Sequence, residues 1–255
     1  MKSLKSFLRS VPIVVRVYRK WIYLYAYLRF KNDFKTFEQL SANSTHRFSL
    51  HWSDRYPFLD ERTASTGFDR HYIYHPAWAA RVLARTQPSV HVDISSTLHF
   101  CSIVSAFIPV KFYDYRPADL KLSNLSSEFA DLLSLPFQND TIESLSCMHT
   151  IEHIGLGRYG DPLDPDGDLK AIAELKRVLA PGGSLLFVAP IGKPKIMFNA
   201  HRIYSYAQIT SYFADLDLKE FALVPDRGAL VYQATAELAG AQMYGCGCFW
   251  FQKRR

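Results

Sequence analysis

The stretch HTIEHIGLGRYGDPLDPDGD, residues 149 to 168, gathers the side chains best suited to chemistry. His149 and His153 flank Glu152, and Arg158, Tyr159 and Asp161 follow on a glycine-flanked loop. Imidazole titrates near neutral pH, so His149 or His153 can serve as a general base, a role worth typically ~10²–10⁴-fold in rate. Asp161 is the carboxylate candidate for the same role. The structural alternatives are a satisfied histidine at a strand end for His149 and a helix cap for His153. Asp161, Asp164, Asp166 and Asp168 suggest a calcium loop at first sight. The required spacing fails, because Pro162 falls at position one and Ala173 at position twelve. Helix capping and a solvated loop are expected there instead. Cys246-Gly-Cys248 places two sulfurs on one face of a strand, but no second ligand pair follows, so no metal is expected. Buried, inert thiols are the expectation for the cysteines in apolar runs.

These side chains need a scaffold, and the chain alternates strand and helix signals from about residue 75. Strands are expected over 89–95, 110–115, 141–149 and 184–190, and helices over 76–86, 98–107 and 168–179. PGG at 181–183 ends the last helix. Such alternation implies an α/β fold, doubly wound, with a mostly parallel sheet and helices on both faces. LKEFALV (218–224) and CGCFWFQ (246–252) look like an antiparallel closing strand pair. In open sheets of this kind ligands bind beyond the carboxyl ends of strands. The residues that matter are therefore those after each strand: 93–98, 114–116, 131–137, 149–168 and 190–201.

ADLLSLPFQNDTIESLSCMHTIEHI followed by ELKRVLAPGGSLLFVAP resembles the central and post-central motifs of the class I S-adenosylmethionine-dependent methyltransferases. HIGLGRYGDPLDPDGDLKA is similar to an uncharacterised bacterial branch associated with surface polysaccharide genes. The resemblance implies a Rossmann-like fold, S-adenosyl-L-methionine as cofactor, and a small-molecule or glycan acceptor methylated on oxygen. It implies that Asp93 helps hold the amino-acid end of the cofactor, that Asp114 accepts bonds from the ribose hydroxyls, and that Asp131 meets the adenine amino group beside Leu132. It also places His201 and Arg202 among substrate contacts, with Arg158 and Tyr159 nearby; Arg202 binds either an anionic acceptor or a carboxylate of the fold. One departure is sharp. The family has D-x-G-x-G-x-G where this chain has Asp93-Ile94-Ser95-Ser96-Thr97-Leu98-His99. Glycine there serves a tight turn, and a residue with a Cβ pays roughly 1–2 kcal/mol to enter the left-handed region. Ser95 and Ser96 are small, and their hydroxyls can bond the cofactor's carboxylate. Two readings follow: a modified turn that still binds, or a non-catalytic, membrane-associated Rossmann-like scaffold that has lost the cofactor.

Charge divides the chain. Of 30 bases and 24 acids, residues 1–35 hold nine bases and one acid, leaving 21 and 23, a net charge of −2, for the rest. A nucleic-acid groove across the fold is not expected. Lys2, Lys5, Arg9, Arg16 and Lys20 share one helical face, with Leu4, Phe7, Leu8, Val11, Val15, Tyr18, Ile22 and Tyr25 opposite. Pro12 kinks or restarts this helix. The charge-free run Trp21–Leu28 is too short to span a bilayer, and no signal-peptide pattern is present. A basic amphipathic arm suits an anionic membrane surface, or packs on the domain with a solvated basic face. The expected organisation is an arm and polar linker over 1–70 and a methyltransferase-like domain over 71–255. The expected location is the cytoplasm, peripheral at the inner face of the membrane.

Overall fold

The structure, a computed structural model, describes residues 12–42 and 47–255. Lys2, Lys5, Arg9 and the apolar residues before Pro12 lie outside the described residues. The chain divides into two compact units, Met1–Gly67 and Phe68–Arg255.

In the first unit, helix α1 spans Pro12–Ser41. Pro12 is its first residue, where the missing N–H is no loss. The helix runs on through residues 36–41, where the sequence suggested linker. Trp21, Ile22, Tyr23, Leu24 and Tyr25 are all exposed. Five consecutive residues cover the whole helical circumference, so the described part of the arm is not divided into a basic and an apolar face. Trp52 packs within the same unit against Phe34 and Phe30, with ring centroids 4.9 and 5.9 Å away.

The second unit is built on a seven-stranded sheet ordered β3-β2-β1-β4-β5-β9-β8. The strands are β1 (His91–Ile94), β2 (Val110–Asp114), β3 (Leu125–Phe129), β4 (Ile142–Met148), β5 (Leu179–Ile191), β8 (Leu216–Val224) and β9 (Gly245–Lys253). Strands β3, β2, β1, β4 and β5 pair in parallel, and β9 runs antiparallel to both β5 and β8. A small hairpin, β6 (Lys195–Met197) with β7 (His201–Ile203), leaves the end of β5. The Rossmann-like, doubly wound architecture read from the alternation is what the chain forms.

Both faces of the sheet are covered. Along β5, Leu185, Phe187 and Ala189 enter one core, while Leu186 and Val188 enter the other, the two-residue alternation of a strand buried on both sides. Helix α4 (Gly167–Val178) closes the first core through Ala171, Ile172, Leu175 and Val178. Helices α2 (Arg70–Thr86) and α3 (Leu98–Val104) close the second, through Trp78, Val82, Leu83, Phe100 and Val104. Cys246 and Cys248 sit on the α2 side together, with sulfurs 3.9 Å apart. Gly183 permits the bulge where β5 starts: a Cβ there would come within 2.9 Å of the Ile142 carbonyl oxygen. The Pro-Gly-Gly segment is thus part of β5, and α4 ends at Val178 before it.

Candidate active site

Beyond the carboxyl ends of β1, β2 and β4 lies a cavity of about 370 Å³, at the point where the strand order reverses. The turn after β1 forms one wall. Ser95 has φ +55°, the left-handed conformation that glycine adopts most cheaply. Its amide donates to the Tyr113 carbonyl at 2.7 Å, and its own carbonyl accepts from Thr150 Oγ1 at 2.9 Å. The Ser96 hydroxyl accepts from the Met148 amide at 3.0 Å, and Thr97 Oγ1 caps α3 by accepting from the Phe100 amide at 3.2 Å. Without glycine, the turn is held by bonds to three neighbouring segments.

Asp93 lies beneath this turn and does not line the cavity. It is fully buried; Oδ1 accepts from the Ser96 amide at 3.0 Å and Oδ2 accepts from the Ser146 hydroxyl. His91 bonds Ser146 Oγ and Ser144 Oγ, each at 2.8 Å. Because Ser146 gives its proton to Asp93, His91 Nε2 must donate to Ser146, leaving Nδ1 to accept from Ser144. Burial pushes Asp93 up to about 6 and His91 down to about 3. Asp93 therefore shapes the turn through Ser96, and any help it gives in holding a ligand comes through that turn.

Asp114, Asp131 and Leu132 do line the cavity. Asp114 Oδ1 accepts from the Arg116 amide at 2.7 Å, and Asp131 Oδ1 accepts from the Leu133 amide at 2.9 Å. In each case Oδ2 takes no hydrogen bond from the described residues, so one carboxylate oxygen per residue is left for a ligand. The cavity also has an aromatic lining of Tyr72, Tyr115 and Tyr159; Tyr159 is a sequence candidate and Tyr115 lies in the 114–116 segment, whereas Tyr72 was missed. Tyr72 comes from α2, which no strand-end rule would search.

The histidines differ in what their nitrogens can do. His153 lines the cavity, and its Nδ1 donates to the Ala200 carbonyl at 2.6 Å. A carbonyl only accepts, and Arg158 Nη1, 3.2 Å from the same Nδ1, has that carbonyl to donate to, so the neutral ring's lone pair is on Nε2. Burial, the largest influence, lowers the His153 imidazole below its ordinary value, helped by Arg158 and His149 and opposed by Glu152 and the Ala200 bond. Arg158 donates to the same carbonyl at 3.0 Å. His149 has φ +57°, and its Nδ1 lies 2.7 Å from Glu152 Oε1. Glu152 is 1% exposed. Burial pushes its carboxyl up, but the hydrogen bond from His149 and the neighbouring imidazoles outweigh that and hold it below the usual range.

Several other candidates are occupied elsewhere. Asp161 lines the cavity, but Oδ2 accepts from the Gly155 amide at 2.8 Å and Oδ1 from the Tyr159 amide at 3.1 Å. It organises the loop and is a poor base. Arg202 is buried; Nη1 donates to the Ile154 carbonyl at 2.6 Å, Nη2 to that of Pro165 at 3.1 Å, and Nε lies 3.5 Å from Asp168. That guanidinium clamps both ends of the 154–165 loop and meets a carboxylate of the fold, Asp168, the second of the two roles expected for it. His201 does not line the cavity; its ring lies 4.9 Å from that of Tyr244. Asp164 pairs with Lys170, and Asp168 accepts from the Tyr204 hydroxyl at 2.8 Å. Tyr159, by contrast, stands at the cavity edge with Arg116 at 4.5 Å and Arg158 at 5.2 Å from its ring centroid.

Sheet order, strand directions and a cavity at the switch point define a Rossmann-like, doubly wound α/β domain. A family model described as Caenorhabditis protein of unknown function, DUF268, matches residues 112–222. No curated protein matches the chain. Among solved structures, the chain is similar to a candidate methyltransferase from Bacillus halodurans, with 13% identity over 71% of this chain and 99% of that one and a TM-score of 0.51. It is similar to the N-methyltransferase NodS from Bradyrhizobium japonicum, solved with S-adenosyl-L-homocysteine, with 16% identity over 71% and 86% of the two chains and a TM-score of 0.50. It is also similar to a chain of the Haloferax volcanii complex between the Trm112 methyltransferase activator and a candidate methyltransferase, with 18% identity over 73% and 90% and a TM-score of 0.50. At these identities the likeness is one of fold.

Proposed function

We propose that this chain is an S-adenosyl-L-methionine-dependent methyltransferase that acts on a hydroxyl of a small-molecule or glycan acceptor. The observation that carries the reading is one cavity holding two open carboxylates, Asp114 and Asp131, and across it an imidazole with its lone pair fixed on Nε2. The donor set suits the cofactor. Asp114 Oδ2 is free to accept from the two hydroxyls of a ribose in charge-assisted bonds. Asp131 Oδ2 can accept from an adenine amino group, and Leu132 offers the ring an apolar face. Ser95 and Ser96 stand at the amino-acid end. Asp93 acts through Ser96. The volume lies within the range of small-ligand pockets, about 300–1,000 Å³.

When bound, the cofactor supplies an electrophilic methyl group on a sulfonium. The chain's part is to orient the acceptor and take its proton. His153 Nε2 receives the hydroxyl proton while Nδ1 stays tied to Ala200, which stops the ring from turning away. Tyr72, Tyr115 and Tyr159 give sugar rings flat apolar surfaces, which supports a glycan acceptor. The arm before residue 70 is read as an anchor and the domain after it as the catalytic unit, placed at the cytoplasmic face of a membrane. The arm's net basic charge and the exposed Trp21, Tyr23 and Tyr25 support that placement.

Incubation with methyl-labelled cofactor and a panel of hydroxylated glycans tests the reading. Label is expected in a glycan hydroxyl with the wild-type chain and not with His153→Ala. Cofactor binding with no transfer to any hydroxyl or amine would favour a non-catalytic role.

A further inference from the structure

At one wall of the cavity, which His149 itself lines, α2, the end of β4 and the start of β9 bring together three side chains that no sequence motif groups. The ligand-capable atoms of His71, His149 and Cys246 all lie within 4.8 Å of one another. We propose that they hold one zinc-class divalent cation, with His75, which lies outside that group of three, turning in to supply a fourth nitrogen. This site does not depend on the methyl-transfer reading.

The hydrogen bonds of the three histidines support it. His149 Nδ1 faces the Glu152 carboxylate at 2.7 Å, His75 Nδ1 faces the His71 carbonyl at 2.7 Å, and His71 Nε2 faces the Tyr244 carbonyl at 3.2 Å. Every one of these partners can only accept, so each ring donates there and carries its lone pair on the other nitrogen. Those nitrogens are His149 Nε2, His75 Nε2 and His71 Nδ1. His75 is fully buried, the His149 side chain is 3% exposed, and both Nε2 atoms are buried with no hydrogen-bond partner among the described residues. Unpaired buried acceptors are costly, and a concentration of them around one point needs an explanation.

The rings are also close neighbours. His149 lies 5.1 Å from His71 and 5.1 Å from His75, centroid to centroid. His71 and His75 are one turn apart on α2, which places them on one face of that helix. Cys246 is fully buried on the α2 side of the sheet. Imidazole nitrogens with one thiolate form the ligand set of tetrahedral zinc, whereas calcium and magnesium require oxygen. Bonds of about 2.0–2.3 Å to a tetrahedral ion hold ligands within roughly 3.3–3.8 Å of one another, so small side-chain rotations close the cluster. The Glu152–His149 bond is the carboxylate–histidine arrangement that fixes a ligating ring. Such an ion would pin α2 to the sheet and lock the loop that carries Glu152 and His153.

The test uses the full chain, stripped with a chelator and titrated with Co²⁺ as a visible stand-in for zinc. Expected are saturation at one equivalent, the strong visible absorption of a tetrahedral site, a near-ultraviolet thiolate-to-cobalt band, and displacement by Zn²⁺. Cys246→Ser should lose the thiolate band, His149→Ala and His75→Ala should weaken binding at least tenfold, and Cys248→Ser should change nothing. Circular dichroism of each variant confirms that it folds. A wild-type chain that takes up no cobalt at stoichiometric concentration overturns the site, as does a thiolate band that survives in Cys246→Ser.

Discussion

At His153, one backbone carbonyl decides what the side chain can do. Because Nδ1 donates to Ala200, Nε2 is the nitrogen left to take a proton. Replacing it with alanine should lower turnover by about 10²–10⁴-fold and leave cofactor affinity nearly unchanged. The pH dependence has a definite sign. A folded-state value below the ordinary imidazole value of about 6.5 keeps the ring neutral further into acid. The acid limb of the wild-type rate should therefore fall below that value, under the combined influence of burial, Glu152, Arg158 and His149. An acid limb that is unchanged in His153→Ala rules this residue out as the base. Candidate positions were legible at this scale because reactive side chains cluster after strands. Their occupancy was not. Nothing in the spacing of Arg202 or Asp161 shows that carbonyls at 154 and 165, or amides at 155 and 159, consume them. Such bonds join segments that meet only in the fold.

At the scale of elements, the turn after β1 answers the question its missing glycines raise. Ser95 occupies the left-handed region and is compensated by bonds from Tyr113 and Thr150. Ser95→Gly relieves roughly 1 kcal/mol of backbone cost and loses a hydroxyl contact of 3.3 Å to Tyr113. Its stability should stay within about 1 kcal/mol of wild type. Ser95→Val places a β-branched residue in the same conformation and should cost more than about 1–2 kcal/mol. Chemical denaturation midpoints compare them, and equal stabilities would mean the turn is not left-handed there. The apolar strands were readable because strands buried on both sides are continuous β-branched and leucine-rich runs. Strand β3, LSSEF, was not, since it is a short polar edge strand. The β6–β7 hairpin escaped for the same reason: all three residues of β6 are exposed and carry no pattern.

At the scale of the molecule, charge and fold are separated along the chain. No helix among the described residues is long and apolar enough to cross a membrane. Each basic residue near an anionic surface contributes about 1 kcal/mol, and salt screens it. The full chain should therefore sediment with anionic vesicles at low salt and be released at high salt. Equal sedimentation after deletion of residues 1–35 would show that another surface binds. The division of charge was plain in the sequence, whereas the wrapping of aromatics around α1 emerged only with the helix itself. The central claim is that the cavity between Asp114, Asp131 and the serine turn takes S-adenosyl-L-methionine. Calorimetric titration of the full chain with the cofactor and its demethylated product tests this most directly. Saturable binding at one site is expected, weakened in Asp114→Ala by roughly 1.5–3 kcal/mol, the loss of bonds to a charged group. No heat at millimolar ligand, or an Asp114→Ala variant that binds as tightly as wild type, would contradict it.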